Sequence, residues 1–439
     1  KKNENNFFNL NKNCLYKNIE FIFNYIIILL IMTLINDIMI NQPITNIGML
    51  GSVSDGKSST VYQLTGTKTQ KHSSELKRNI TIKPGYANMK IYKDKYDNLI
   101  SSNSIDNVDG ELINHISFVD CPGHYELIMT MLSNIDLMQG AIVIVSAAEP
   151  ISKKPQLLQH LIAIKMANFK NVIICLNKLD LVSKEVVLRR KQELDDLLEK
   201  LNIIPKAIIP ICVNKKLGLN FLLENIMKFF SPNKINSSNT PQFRVSRSFD
   251  INRKNINYLD IEGGVIGGSL ISGNLKVGDT IEIRPGIIQK KDDSFECIPL
   301  KSKVLSLQTD TTKLDTIIPG GLIGIGTDID PYYCKNDNLV GNIIGLEGTL
   351  PEVYSEIKLK LEYNFINFDE NNEWNPEVNE KINLQISTNN LNGIINHIDN
   401  NILSIKFNKP ICIDKSMMII LSRTNAKKVI EIIGYGYLF

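Results

Sequence analysis

Cysteine is sparse and never closely paired. The seven cysteines, at positions 14, 121, 175, 212, 297, 334 and 412, include no Cys-x-x-Cys spacing. That excludes the usual zinc ribbon and the disulfide-stapled secreted scaffold, and it fits free thiols in a reducing compartment. An excess of one charge sign is also missing. A net charge of +3 over 439 residues gives no overall electrostatic footprint for nucleic acid, so any such surface must come from local clustering of lysines. Nor is there an apolar run of the ~20 residues needed to span a bilayer. The nearest approach, Phe21 to Met32, is shorter, contains Asn24, lies in Asn- and Lys-rich surroundings and has no clear small-residue cleavage site after it. Residues 1–40 are therefore read as an extra helix or leader outside the folded domains, and membrane attachment is the reading set aside.

What is present is a soluble globular composition, 43% hydrophobic and 22% charged, with length for about three domains. The chemistry centres on Gly51-Ser52-Val53-Ser54-Asp55-Gly56-Lys57-Ser58, two glycines four residues apart followed by Lys and Ser. Such a loop turns successive backbone N–H groups inward around phosphate oxygens, along a path that glycine permits. Lys57 reaches the β- and γ-phosphates, Ser58 ligates Mg²⁺, and the helix opening at Ser59 points its positive end at the anion. Asn46 to Leu50 reads as the buried strand entering the loop, and Gly66 as the end of that helix.

Further apolar runs follow at Ile116–Val119, Ala141–Val145, Val172–Leu176 and Ala207–Ile211. Short, continuous and β-branched, they read as strands buried on both faces. With helical stretches at Pro155–Phe169 and Glu185–Leu201 between them, the class is an α/β P-loop domain with a mainly parallel sheet. Ligands in such sheets sit at the carboxyl ends of strands, where the polar signals fall. Asp120-Cys121-Pro122-Gly123 places an acid for Mg²⁺ and a glycine amide for a γ-phosphate opposite the loop; alone, it reads equally as a plain Pro-Gly turn. Asn177-Lys178-Leu179-Asp180 supplies a carboxylate for the N1 and N2 hydrogens that guanine offers and adenine does not. Phosphate loop, Asp-x-x-Gly and Asn-Lys-x-Asp in this order define a guanine-nucleotide domain.

Arg78 to Ala87 and Asp120 to His124 resemble the switch regions of translational GTPases of the elongation factor Tu type. The resemblance implies that Thr81 senses Mg²⁺ and the γ-phosphate, that His124 orients the attacking water, and that Val53 and Ile80 form an apolar gate beside it. Three features depart from the family pattern. Ser52 and Asp55 replace histidines, and Asp55 places a negative charge that lowers nucleotide affinity. Cys212-Val213-Asn214 stands where Ser-Ala and a polar residue are usual. Lys93 to Glu111 carries no cysteines where relatives have a zinc knuckle, so zinc is not expected. No motif places an arginine finger, and intrinsic GTP hydrolysis is expected to be slow without a stimulating partner.

Residues 231–242 read as a linker. Beyond it, alternation and frequent glycines at Phe243–Ile251, Gly264–Ile271, Thr280–Arg284, Lys303–Thr309 and Gly321–Gly326 predict a β-barrel over 243–347. A second barrel over 348–439 is read from Glu356–Glu362, Lys381–Thr388, Gly393–Asp399, Ile402–Phe407 and Met417–Arg423. The phrases Glu262 to Ser269, Ile283 to Ile287, Ile318 to Thr327, Asp330-Pro331, Asn338 to Gly341 and Ile433 to Gly436 are similar to the gamma subunit family of eukaryotic and archaeal translation initiation factor 2. The resemblance runs colinearly over about 41–439. It implies a cytoplasmic, GTP-dependent carrier of initiator methionyl-tRNA, which works with alpha and beta subunits, the small ribosomal subunit, and activating and exchange factors. The competing readings are an elongation-type or selenocysteine-specific tRNA carrier, separable by comparing initiator with elongator tRNA, and a non-hydrolysing scaffold, separable by GTP and GDP affinity.

Overall fold

Thr45–Leu50 (β1) is buried at every position, and the rest of the first domain is laid around it. The computed structural model describes residues 38–70, 81, 84–102, 110–124, 127–230, 240–253, 255–292, 294–364, 374–424 and 430–439. Six further strands complete one sheet: Gly85–Lys93 (β2), Leu99–Ser102 (β3), Glu111–Asp120 (β4), Gly140–Ser146 (β5), Val172–Asn177 (β6) and Ala207–Pro210 (β7), in the spatial order β3-β2-β4-β1-β5-β6-β7. The five strands from β4 to β7 run parallel. β2 and β3 extend the sheet antiparallel; they fall in stretches that the sequence reading left to a switch region and a polar insertion.

The helices are Lys57–Thr65 (α1), Ile128–Leu132 (α2), Pro155–Met166 (α3), Lys184–Lys200 (α4) and Leu219–Phe229 (α5). Gly66 ends α1 in the left-handed conformation with its N–H on Tyr62 O at 2.7 Å, as its sequence position implied. Pro155 occupies the first turn of α3, where a missing N–H costs nothing. Strand side chains alternate between two cores: Ile142 and Ile144 of β5 face the side covered by α1 and α5, whereas Val143 and Val145 face α3 and α4. Burial on both faces is why these strands read as unbroken apolar runs.

The middle unit is all β, as the alternation predicts. Its main sheet has eight strands, from Ser294–Lys303 at one edge to Thr312–Leu314 at the other, beside a short ribbon of Leu275–Lys276 with Thr316–Ile317. Leu314 of the three-residue second edge strand shares one core with Phe243 and Ile283. The last unit is a closed six-stranded barrel. Its closing strand, Ile430–Leu438, pairs with Val353–Asn364 and Ile419–Thr424 and was not recognised as a strand in the sequence.

The three units share interfaces. Gln42 Nε2 donates to Ile318 O (2.6 Å) and Gly320 O (2.9 Å), while Asn46 takes the Gly321 N–H at 2.8 Å. Met39, inside the segment read as leader, is buried with Ile44 and Ile318. Met418, Ile420 and Ile432 of the barrel join the α3 core. Residues 1–37 of that segment, Ile80, residues 103–109 of the polar insertion and residues 231–239 of the linker lie outside the described residues. No helix among the described residues is long and apolar enough to cross a membrane.

Candidate functional site

β1 ends at Leu50 and the chain turns through the phosphate loop into α1, above the carboxyl edge of the parallel strands. Gly56 has φ +105°, and a Cβ there would lie 2.4 Å from Asn177 Nδ2, so both conformation and space call for glycine. Lys57 is buried, with its ammonium donating to Gly51 O and Ser52 O, each at 2.9 Å. Burial lowers its pKa, and Asp120 is the largest opposing influence. A Cβ on Gly123 would meet Lys57 Nζ at 2.4 Å and Gly51 O at 2.9 Å, which puts the Asp-x-x-Gly turn directly against the loop.

Asp120, at the end of β4, is fully buried. Its Oδ2 accepts from Ser58 Oγ (2.6 Å) and Thr69 Oγ1 (2.5 Å), and Ser58 Oγ lies 3.3 Å from Thr81 Oγ1. Burial raises the Asp120 pKa against the lowering effect of those hydroxyls. Its Oδ1, also buried, has no hydrogen-bond partner among the described residues. An orphaned carboxylate oxygen beside two hydroxyls is the hard-oxygen donor set that suits Mg²⁺.

At the other end, the Asn177 side chain braces two loops: Nδ2 donates to Asp55 O (2.9 Å) and Oδ1 accepts from Val213 N (3.2 Å). The Val213 N–H is thus engaged within the protein. Lys178 adopts φ +62°. Asp180 is exposed, and the Cys212 thiol donates to its Oδ1 at 3.1 Å, the chief reason its pKa is lowered. Cys212 therefore holds the Asp180 carboxylate, and the departure from serine keeps a donor.

A cleft of about 680 Å³ joins these ends. It is lined by Val53, Ser54, Gly56, Lys57, Ser58, Ser59, Thr81, Gly123, Asn177, Lys178, Asp180, Cys212, Val213 and Asn214, together with Thr69 and others; its size is that of a small-molecule site. Gly51, Asp55, Asp120 and His124 do not line it. His124 is half-buried just beyond Gly123, its carbonyl accepting from Leu127 N at 2.9 Å. Ile80, the other half of the expected gate, lies outside the described residues. Asp55 corrects the sequence reading. Its carboxylate turns away from the cleft, accepting the Ser52 N–H at 3.0 Å and pairing with Lys154, so it presents no bare charge to a phosphate.

Three side chains at the site were missed in the sequence. Lys154 caps the start of α3 and His160 lies in its middle, and His160 Nδ1 accepts the Gly51 N–H at 2.9 Å. Burial, with Lys57 nearby, lowers the His160 pKa to about 3, so the ring is the neutral acceptor this bond needs. Thr69 is the third, and no motif marked it.

A phosphate loop, a buried acid with spare oxygen and an Asn-Lys-x-Asp carboxylate on a mainly parallel sheet, followed by two β units, define a translational GTPase of the elongation factor Tu type. Residues 42–232 match the Elongation factor Tu GTP binding domain, 263–345 match Elongation factor Tu domain 2, and 356–438 match the C-terminal domain of initiation factor eIF2 gamma. The chain is 38% identical over 406 residues to translation initiation factor 2 subunit gamma of Methanococcus vannielii, covering 90% of this chain and 98% of that protein. It is 39% identical over 338 residues to the eukaryotic translation initiation factor 2 subunit gamma of Encephalitozoon cuniculi, covering 74% and 76%. The chain belongs to the gamma subunit family of translation initiation factor 2 and is a guanine-nucleotide-binding GTPase of translation initiation.

Among solved structures, it resembles the bacterial selenocysteine-specific elongation factor EF-Sec with TM-score 0.69 at 22% identity, covering 90% of this chain and 58% of that one. Elongation factor SelB of Methanococcus maripaludis, in complex with the GTP analogue GppNHp, gives TM-score 0.67 at 18% identity, covering 91% and 79%. At these identities the likeness concerns the fold.

Proposed function

We propose that the chain carries initiator methionyl-tRNA to the small ribosomal subunit in a GTP-dependent manner, as the gamma subunit of a trimeric factor with alpha and beta subunits, and that GTP hydrolysis is the release switch. The observation that carries this reading is the single cleft joining Lys57, Ser58 and Thr81 to Asn177 and Asp180, in a chain whose relatives are initiation factor gamma subunits. Gly51 to Ser59 cradle the phosphates, Asp180 reads guanine, and Cys212, Val213 and Asn214 border the base. Ser58, Thr81 and Asp120 hold Mg²⁺, which supplies charge neutralisation at the phosphates when bound. His124 orients the attacking water, and Val53 with Ile80 restricts its access; His124 reaches the cleft on this reading only when nucleotide orders the segment after Gly123.

The working units are residues 41–230, a linker at 231–242, and β units at 243–347 and 348–439, acting in the cytoplasm with activating and exchange factors. Exposed Phe249, Ile251, Tyr258, Leu259, Ile261 and Tyr332 on the middle unit support a partner subunit covering that face. The test is filter binding of methionylated initiator tRNA against elongator tRNA in GTP, GDP and no nucleotide. The expected result is retention of initiator tRNA in GTP alone. Equal retention of both tRNAs in GTP favours an elongation-type carrier, and nucleotide-independent binding removes the switch.

A further inference from the structure

Asp55 is folded back into the phosphate loop. Its Oδ2 accepts the Ser52 N–H (3.0 Å), its own N–H reaches Ser52 O (3.3 Å), and its carbonyl takes Asn177 Nδ2 (2.9 Å). The remaining carboxylate oxygen meets the Lys154 ammonium, and both side chains are 2% exposed. Lys154 is the residue before Pro155 at the start of α3 and lies 99 positions away in the chain. Another acid near that ammonium, Glu149 at 4.0 Å, is 69% exposed. Asp55 and Lys154 both act on Lys57, the acid favouring its charged form and the lysine opposing it.

An unpaired carboxylate in this loop would oppose a polyphosphate through low-dielectric surroundings, where charge interactions are far stronger than in water. Resting on the nucleotide reading above, we propose that Lys154 is a positioning residue for the phosphate loop: it neutralises Asp55 and so sets the field that the nucleotide's phosphates meet. The loop then presents Lys57 as its net charge despite containing an acid. α3 thereby grips the loop at two points, Asp55 through Lys154 and Gly51 through His160.

The experiment titrates fluorescent GDP and GTP into the full chain and into three variants, Lys154→Met, Asp55→Asn and the double variant, with circular dichroism as the folding control. Lys154→Met leaves the acid unpaired and is expected to weaken binding by about tenfold or more, with the larger loss for GTP. Asp55→Asn keeps an acceptor for Ser52 and frees the lysine charge, so it is expected to bind tighter than wild type. The double variant is expected to return to within about threefold of wild type, because the two changes are coupled. Lys154→Arg, which keeps the charge, is expected to retain affinity.

A clasp acting only through packing weakens both single variants and leaves the double no better than either. That pattern, or wild-type affinity in Lys154→Met, overturns the proposal. Should Lys154→Met fail to fold, the sign for Asp55→Asn decides alone: tighter supports it, unchanged or weaker overturns it. A wild-type chain that binds neither nucleotide overturns the functional reading itself, and this proposal with it.

Discussion

His160 ties acid stability to the phosphate loop. The ring is 1% exposed, its Nδ1 accepts the Gly51 N–H, and burial pulls its pKa from 6.5 to about 3. A depressed histidine pKa means that the unfolded chain takes up a proton the folded protein refuses. The contribution is therefore complete above the unfolded pKa and declines as pH falls from about 6.5 toward about 3. Between about pH 7.5 and about pH 5, the linkage removes roughly 2 kcal/mol. His115, buried in β4 with Nδ1 against Met39 O and a pKa lowered to about 4, removes a similar amount over the same range. The two are separated by substitution.

His160→Asn places Oδ1 near the position of Nδ1 and cannot titrate, so its pH-independent cost subtracts out. Urea unfolding at the two pH values is expected to show a loss smaller than that of wild type by about 2 kcal/mol. Identical pH slopes for the two proteins would refute the assignment of a buried neutral His160. His160→Phe fills the space but strands the Gly51 N–H, and is expected to cost about 1–3 kcal/mol at neutral pH.

Gly123→Ala places a methyl 2.4 Å from Lys57 Nζ and 2.9 Å from Gly51 O; backbone cannot yield as a lysine tip can, so GTP affinity is expected to fall by about tenfold or more. Titration with a fluorescent GTP checks this, and unchanged affinity means that the two turns do not stay in contact in the loaded state. Asp180→Asn replaces an ionised acceptor with an amide, which is expected to cost guanine nucleotides about 2–4 kcal/mol and to favour xanthine nucleotides, whose 2-oxo group accepts a hydrogen bond. Competition between GTP and XTP decides it, and an unaltered preference would remove Asp180 from base reading.

The parts of the site that are local in sequence were legible there. Gly51 to Ser58, Asp120 and Asn177 to Asp180 each follow a buried strand, and strands buried on both faces announce themselves as apolar runs. Gly66 and Pro155 were legible for the same reason, since a left-handed cap and a first-turn proline are local requirements. β2 and β3, the edge strand and its neighbour, were missed because polar residues such as Asn88, Lys90 and Ser101 interrupt their apolar pattern and read as loop. Ile318 to Thr327 was noticed only as a phrase similar to a family; the structure gives part of it a physical task, because Gly320 and Gly321 lie against Pro43 and Ile44 and accept or donate hydrogen bonds to Gln42 and Asn46.

The charge state of the loop was read wrongly from sequence, and for a plain reason. Asp55 looks like a repulsive charge when only its neighbours in the chain are counted, and the lysine that cancels it is 99 residues on; the histidine that receives the Gly51 N–H is 109 on. Sequence determined which elements form and where the phosphate-loop, Asp-x-x-Gly and Asn-Lys-x-Asp motifs fall among them, because periodicity, turn residues and motif spacing are local properties of the chain. Only the packing of α3 against the loop decided which buried charges cancel and which amides are held, since a buried ion or N–H is satisfied by whatever the fold brings within hydrogen-bond distance.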